Sequence, residues 1–541
     1  MNKQKINFIT YILIIIFFLL QSSFILEGGT TIDERSLDNS NQITLEKLRI
    51  LTNFELFKDG YINPVLKDIY RGETYGQFIS FQQFVFSRIF VNTNFVNSFF
   101  DENDLFLSFY SKVNLLRNLY LNIYVSLLLF IMHRVLTKIK GQKFGLIFIT
   151  LLILIPSFNG HSQFNQKDIG FMLHIFLASI FIIKLIGSKS KKHILVAALL
   201  SGLAVSLRLS GFVILLIPIL YSFLIEKISN QLGLNKLIKK YGELIFYIFI
   251  FYIVFSPSSW FNIIGFLETS INQQILIQWN GSTLTDGEFI LSSDMDKLYL
   301  FKWLFYKLPI NFHIILILSI FSFKIKNFEK DVFLTFSIIF FLVVNAGFII
   351  LTPAAYDGLR QFLFLIPFIV YIATSFLAGL GKKLNFALPV IIIYLIFTQF
   401  GLQQYRYVYF NEFVDESNIT FDCNNIDGCG DWLTDYWGYS AKSIGAHLNN
   451  SELENVYICK SREIWDPYLD EGLNPNYTDV SKLTNNSFNL VTIFRPRYQD
   501  DGCGFYIADL IYKCSIEKKF ITNLRGNEVD LGYLKNCTIE N

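Results

Sequence analysis

The sequence predicts an α-helical polytopic membrane protein of about eleven transmembrane helices, with a small extracytoplasmic C-terminal domain of α/β or β-rich character. Three observations predict this. First, the 541 residues are 52% apolar and 17% aromatic, with 58 Phe, and only 17% are charged. A soluble domain carries roughly 25% charged residues, and mean hydropathy here is +0.41. Second, all six cysteines (Cys423, Cys429, Cys459, Cys503, Cys514, Cys537) fall near the C-terminus. Third, the lysines gather in short loops between apolar runs. Together these exclude a disordered chain and an ordinary cytosolic enzyme. With 46 Lys+Arg against 44 Asp+Glu, a net charge of +2, there is no basic footprint for nucleic acid either.

A helix needs about 20 apolar residues to cross the hydrocarbon core. The candidate runs are roughly 7–26, 113–132, 144–158, 170–187, 194–208, 210–225, 244–258, 306–323, 332–351, 362–380 and 386–404. The first follows Lys3 and Lys5, precedes Glu27 and lacks an A-x-A site. It therefore reads as an uncleaved span rather than a signal peptide. Basic loops follow at Arg134 to Lys143, Lys189 to Lys192, Lys227 to Lys240, Lys324 to Lys330, and Lys382–Lys383. With the N-terminus inside, all of them fall on the cytoplasmic side, as the positive-inside bias requires.

The same count divides the chain into a membrane body, residues 1–404, and an outer C-terminal domain, 405–541. The body includes a large first outer loop at 27–112. Cysteines confined to the outer segment agree with a disulfide-permitting compartment, and six of them allow 15 pairings. The sequons at Asn280, Asn418, Asn449, Asn476, Asn485 and Asn536 also fall on outer segments. Short Tyr/Phe/Ile runs separated by Asn, Asp and Gly mark the outer domain as α/β or β-rich.

The span interiors carry almost no ionisable groups, which disfavours an ion-coupled transport path. Polar residues collect instead at the outer ends of spans. Asp33 and Glu34 follow the first span; a partly desolvated carboxylate there suits a general base, although an acidic loop flank is the simpler reading. His161 to Asp168 packs a His, a Lys, an Asp and several amides and hydroxyls into one short turn. Lys167 suits a phosphate and Asp168 an acceptor, a sugar or a metal, against the plain alternative of a solvated, capped turn. Arg208 stands between two apolar runs and needs a partner, for which a phosphate or a structural carboxylate serves. Tyr356, Asp357 and Arg360 form a further outer turn, where Arg360 could equally be a helix-end anchor. Asp431 to Gly438 interleaves carboxylates with aromatics, a pattern that binds sugars but is more often structural. No Walker loop, zinc spacing or G-x-S-x-G elbow is present.

In order along the chain, these segments resemble the C-type multi-pass glycosyltransferases that use polyprenyl-phosphate sugars, the glycosyltransferase family 39 or protein O-mannosyltransferase-like group. Asp33-Glu34 resembles the family's Asp-Glu pair in the first outer loop, and Phe164 to Phe171 is similar to its bacterial F-N-P-K-D-I-P-F stretch. Leu207-Arg208-Leu209-Ser210-Gly211 is similar to an R-x-S/T-G segment. Pro257, Trp260, Trp279-Asn280-Gly281 and Gly287-Glu288-Phe289 resemble the next outer loop. Tyr356 to Phe362 resembles Y-D-G-x-R-H-F, and Tyr407 to Asn411 and Asp435 to Gly438 complete the series. Gln166 and Gly170 replace two prolines of the pattern and Gln361 a histidine, while the charged positions keep their identity.

The resemblance implies an inverting transfer of a sugar from a polyprenyl-phosphate donor to a hydroxyl on protein, lipid or glycan, at the outer membrane face. Asp33 would take the acceptor proton with Glu34 in support. Lys167, Arg208 and Arg360 would neutralise the leaving phosphate, with Tyr356, Asp168 and Asp357 as binding residues. It admits a divalent metal and demands no cofactor. Residue usage and the bacterial form of the motifs favour a bacterial inner membrane over the endoplasmic reticulum. A lipid-linked glycan ligase or polymerase, and a transporter or receptor with an outer ligand-binding domain, remain the alternative readings.

Overall fold

The computed structural model describes residues 3–31, 39–48, 71–74, 76–94, 96–98, 109–188, 190–229, 233–273, 281–322, 331–415, 419, 431–451, 453, 456–458, 462–469, 487–493 and 511–540. Helices dominate. They run α1 (Lys3–Glu27), α2 (Gln77–Phe90), α3 (Phe109–Lys140), α4 (Gln142–Ile153), α5 (Pro156–His161), α6 (Gln166–Ile183), α7 (Lys191–Leu207) and α8 (Gly211–Ile228). After these come α9 (Leu234–Val254), α10 (Ile263–Ile271), α11 (Tyr299–Lys307), α12 (Ile310–Ser322), α13 (Val332–Leu351), α14 (Ile366–Gly379), α15 (Leu384–Phe397) and α16 (Ala441–Asn449).

Each of the eleven apolar runs becomes helix, but not each becomes a full span. Among the described residues six helices are long and apolar enough to cross a membrane, and a bent pair brings the number to seven. The six are α1, α3, α6, α8, α13 and the stretch Arg360–Gly379 that contains α14. The expected run 306–323 is broken: α11 and α12 meet at 111°, with Pro309 between them. α4 stops at 12 residues before Pro156, and α15 has 14. α9 is long enough but carries Lys239, Lys240 and Glu243 in its first half. The hydropathy of these runs is real; their straightness and length are what the prolines and charges remove.

The packing has a centre. α6 is almost wholly buried, enclosed by its neighbours, with Phe171, Phe176 and Leu177 inaccessible. Around it, α1, α3, α8, α12, α13 and α15 turn Leu19, Leu127, Leu220, Phe321, Leu342 and Phe386 outward. A helix that exposes large apolar side chains suits a lipid surface, where its backbone bonds are all internal.

The two ends of this bundle differ. At one end, Glu226 of α8 accepts from Lys240 of α9 at 2.8 Å and from the Tyr241 hydroxyl at 3.1 Å. Lys140, the last residue of α3, pairs at 2.6 Å with Asp331, whose carboxylate also caps α13 at the Leu334 amide. Lys140 and Lys240, from two of the basic loops, thus lie at a shared end, joined through α8, whose Tyr221 hydroxyl donates to the Val332 carbonyl at 3.3 Å. α6 begins with Asp168 at the opposite end, and there the remaining polar side chains converge.

The C-terminal residues form a four-stranded sheet in the order β3-β4-β6-β5, following a short hairpin, β1 (Ser282–Thr285) with β2 (Glu288–Leu291). β3 (Val456–Ile458) pairs parallel to β4 (Ser487–Ile493). β5 (Ile511–Leu524) and β6 (Asn527–Glu540) are antiparallel. Cys514 and Cys537 face each other in that ladder and form a disulfide; the other four cysteines lie outside the described residues. α16 covers the sheet through Ile444, Leu448, Trp465, Val491 and Leu534. Leu524, Val529 and Tyr533 continue into the large core of the helical bundle, and the Arg525 guanidinium donates to the Phe410 carbonyl at 2.6 Å.

Candidate functional site

The site grows from one helix start. Asn165 caps α6: its side-chain oxygen accepts the Asp168 amide proton at 3.2 Å. This cap leaves the Asn165 amide nitrogen facing back, 2.9 Å from an Asp168 carboxylate oxygen and 3.1 Å from His161 Nδ1. Arg208 reaches the other Asp168 oxygen. It sits where α7 ends in extended backbone (φ −146°, ψ 122°), three residues before α8 begins. The break in the helix, not a helix face, is what aims the guanidinium at α6. Both Nε and Nη2 of Arg208 contact Asp168 Oδ1.

A second pair comes from the turn before α14. Asp357 adopts a left-handed conformation (φ 55°), one of the few residue types that tolerates it. Arg360 Nη1 lies 3.3 Å from its carboxylate. The Arg360 guanidinium is sandwiched, 4.9 Å from the Tyr356 ring centre and 4.6 Å from that of Trp437. Arg208, Arg360 and Lys167 all lie close enough to act electrostatically on Asp168. Three cations therefore stand around two carboxylates, Asp168 and Asp357, in a largely buried setting.

Lys167 is buried beside Gly76. Gly76 has φ 68°, and a Cβ there would come within 2.5 Å of Lys167 Cγ, so only glycine allows this approach. It leads into α2 from the first outer loop. That loop is braced by a buried ion pair: Lys47 Nζ lies 3.0 Å from Glu73 Oε2. Thr44 and Ser258 hydroxyls donate to Glu73 Oε1 at 3.2 and 3.1 Å. Sequence reading did not find this network. Its members are scattered over more than 200 positions and none forms a local pattern.

The stretch Asp431 to Ser440 closes the site from the C-terminal side. Asp435 accepts the Tyr439 and Ser440 amide protons at 2.9 and 2.8 Å and the Tyr407 hydroxyl. Burial pushes its carboxyl above the ordinary value. Tyr436 meets His161: the hydroxyl lies 3.2 Å from Nε2. Burial also drives the His161 imidazole down to about 3, with Lys307 and Arg360 adding to the effect and Asp168 opposing it. The ring is therefore neutral at neutral pH. Phe164, Tyr407, Tyr436 and Trp437 surround the ring, Trp437 edge to face and the other three tilted.

The first outer loop approaches the same stretch. Gly29 donates to the Tyr439 carbonyl at 3.0 Å, and a Cβ at Gly28 would overlap the Tyr439 ring. Thr30 and Tyr468 hydroxyls are 2.9 Å apart.

Of the residues singled out from sequence, Lys167, Asp168, Arg208, Tyr356, Asp357 and Arg360 come together here. Asp33 and Glu34 lie outside the described residues. His161, Asn165, Tyr407, Asp435, Tyr436 and Trp437 were visible only as members of polar or aromatic clusters, and the structure gives them distinct partners. Among the described residues no group of three or more His, Cys, Asp or Glu is arranged to hold a metal ion. The arrangement suits an anionic group: arginines held by carboxylates and by ring stacking form a rigid, pre-aimed charge. No family model matches the chain, nor does any curated protein sequence.

Proposed function

We propose that this protein is a multi-pass membrane glycosyltransferase that moves a sugar from a polyprenyl-phosphate donor to a hydroxyl acceptor, with inversion at the anomeric carbon. The observation that carries this reading is the convergence of Lys167, Arg208 and Arg360 around Asp168 at the helix ends opposite the Glu226–Lys240 pair. A lipid-linked phosphate would reach that depth from the side, through its apolar tail, and would need pre-positioned cations on arrival. The motif resemblance supplies the sugar and the acceptor chemistry. The reading makes the membrane the bacterial inner membrane, with these helix ends on its outer face.

In this scheme Arg208 and Arg360 hold the phosphate and stabilise the charge that grows on it as the glycosidic bond breaks. Asp168 and Asp357 keep the guanidinium groups oriented. Asp33 takes the proton of the attacking hydroxyl, supported by Glu34. The segment that ends at Thr31 is anchored through Gly29 to Tyr439, beside Trp437, which favours a base delivered from that direction. No metal is required by the groups on hand.

Asp33→Asn tests the reading. Loss of a general base costs about 10²- to 10⁴-fold in rate. The expected result is that mass spectrometry of lipid-linked sugars and surface glycans finds donor accumulating and product missing, at normal protein level. Unchanged glycan output would favour a ligase that needs no such base.

A further inference from the structure

The hydrogen bonds at the start of α6 have a direction that can be derived from the backbone. The Asp168 amide can only donate, so the Asn165 atom 3.2 Å from it is the carbonyl oxygen. The other end of that side chain is therefore NH₂, with two protons. One goes to the Asp168 carboxylate at 2.9 Å, an acceptor held by Arg208. The second lies 3.1 Å from His161 Nδ1, which must accept it. A neutral imidazole that accepts at Nδ1 carries its proton on Nε2. That N–H points at the Tyr436 oxygen, 3.2 Å away. With its oxygen accepting from His161, Tyr436 has its own O–H left to give. Among the described residues that hydrogen has no acceptor: besides His161, the Tyr436 hydroxyl meets only the Trp437 indole N–H, which can donate but not accept. The ring lies against Trp437, which carries Arg360 on its face.

We propose that Tyr436 is the substrate-facing end of a hydrogen-bond relay, Asn165 to His161 to Tyr436, whose Asn165 end is held by the Asp168 carboxylate and Arg208, and that its hydroxyl donates to a phosphate oxygen of the lipid-linked donor. This rests on the polyprenyl-phosphate reading above. From Asn165 onward each group donates to the next, so these bonds are polarised in one sense and the tyrosine becomes a stronger donor than an isolated phenol. It also ties the ligand contact to the C-terminal segment, since Tyr436 follows Asp435, the residue that organises the 435–440 turn. The function of His161 is then positional: it fixes which way the Tyr436 hydroxyl faces.

The test uses the full chain in lipid nanodiscs, with undecaprenyl phosphate and the uncharged undecaprenol as probes. Wild-type protein should bind the phosphate more tightly than the alcohol. Tyr436→Phe, which keeps the ring contacts, should weaken phosphate binding about tenfold, the scale of one hydrogen bond to a charged group, and leave undecaprenol binding unchanged. Equal binding of the phosphate by wild type and Tyr436→Phe overturns the role of Tyr436 and leaves the functional reading standing. If wild-type protein does not distinguish phosphate from alcohol, the functional reading fails and the inference with it. Should Tyr436→Phe not fold, ¹⁵N spectra of histidine-labelled wild type decide. His161 should be protonated at Nε2 alone, and that signal should shift on saturation with undecaprenyl phosphate; an Nδ1–H tautomer or an unmoved signal overturns the relay.

Discussion

His161 shows how burial sets chemistry at a single residue. Its pKa falls from the ordinary 6.5 to about 3 because the imidazolium would lie in an apolar, fully enclosed setting. In the unfolded chain the ring regains its ordinary value, so below pH 6.5 the unfolded state binds a proton that the folded state refuses. Stability is therefore lost as pH falls from about 6.5 toward 3, with a limiting slope near 1.4 kcal/mol per pH unit. Thermal unfolding of purified protein should show a midpoint that drops across this window. His161→Gln should flatten the drop, even if it lowers the midpoint at pH 7. An unchanged slope would mean that other groups govern acid sensitivity. Asp435 works in the opposite sense. Its carboxyl is raised, so its contribution declines as pH climbs through the raised value, and the two effects partly cancel in mild acid. The polar content of the 161–168 and 431–438 stretches was evident in the sequence. That one histidine and one tyrosine join them was not, because the two lie 275 positions apart.

Elements are joined here by buried ion pairs as much as by apolar contact. Glu226 of α8 is fully buried and receives Lys240 and Tyr241 of α9, together with the Gly187 amide beyond the end of α6 at 3.3 Å. Lys240 also donates to the Leu185 carbonyl at 2.5 Å. Three helices are fastened at one end through one carboxylate. Removing a single partner strands a charge, so Glu226→Gln should destabilise by about 3–5 kcal/mol. Replacing both groups, Glu226→Met with Lys240→Met, should restore most of that loss, since well-packed apolar side chains often match a buried pair. Chemical denaturation of the single and double variants in detergent micelles checks this. A double variant as unstable as the single one would show that the backbone bonds to Gly187 and Leu185 matter more than the charges. From sequence, Lys240 was one lysine among several in a basic loop, and Glu226 lay at the margin of an apolar run. Hydropathy located the helices well, because each apolar run did become helix. It misjudged their lengths wherever a proline or a charge cluster interrupted a run, as at Pro156, Pro309 and Lys239–Lys240.

At the scale of the whole molecule, the sequence suggests a boundary near residue 404; beyond it the sheet and α16 have a core of their own, while other residues there pack into the helical core. Trp432, Tyr436, Trp437 and Tyr439 belong to the same buried core as Phe158, Phe164 and Phe364. Leu524, Val529, Leu531 and Tyr533 of the terminal hairpin join it as well. Composition could not reveal this, since aromatics spaced among Asn, Asp and Gly look the same whether they fill a separate domain or complete a neighbouring one. The physical consequence is that the bundle end bearing Asp168 is not finished by the bundle. Without residues 431–440, Arg360 loses the Trp437 face, His161 loses Tyr436, and Tyr407 loses Asp435. Burying a single Trp or Tyr side chain contributes several kcal/mol, and four are involved, against a total stability of about 5–15 kcal/mol for a typical domain. A chain ended at residue 430 should therefore fail to fold, eluting as aggregate in size-exclusion chromatography where the full chain is monodisperse. A chain ended at 510 keeps the 431–440 stretch but loses the β5–β6 hairpin. It should fold with a lowered unfolding midpoint, because the hairpin adds Leu524, Val529 and Tyr533 to a core that already holds the aromatics. If the chain ended at 430 were as monodisperse and as heat-resistant as the full protein, the outer segment would be an independent domain, and the Tyr436 contact could not be part of the site's construction.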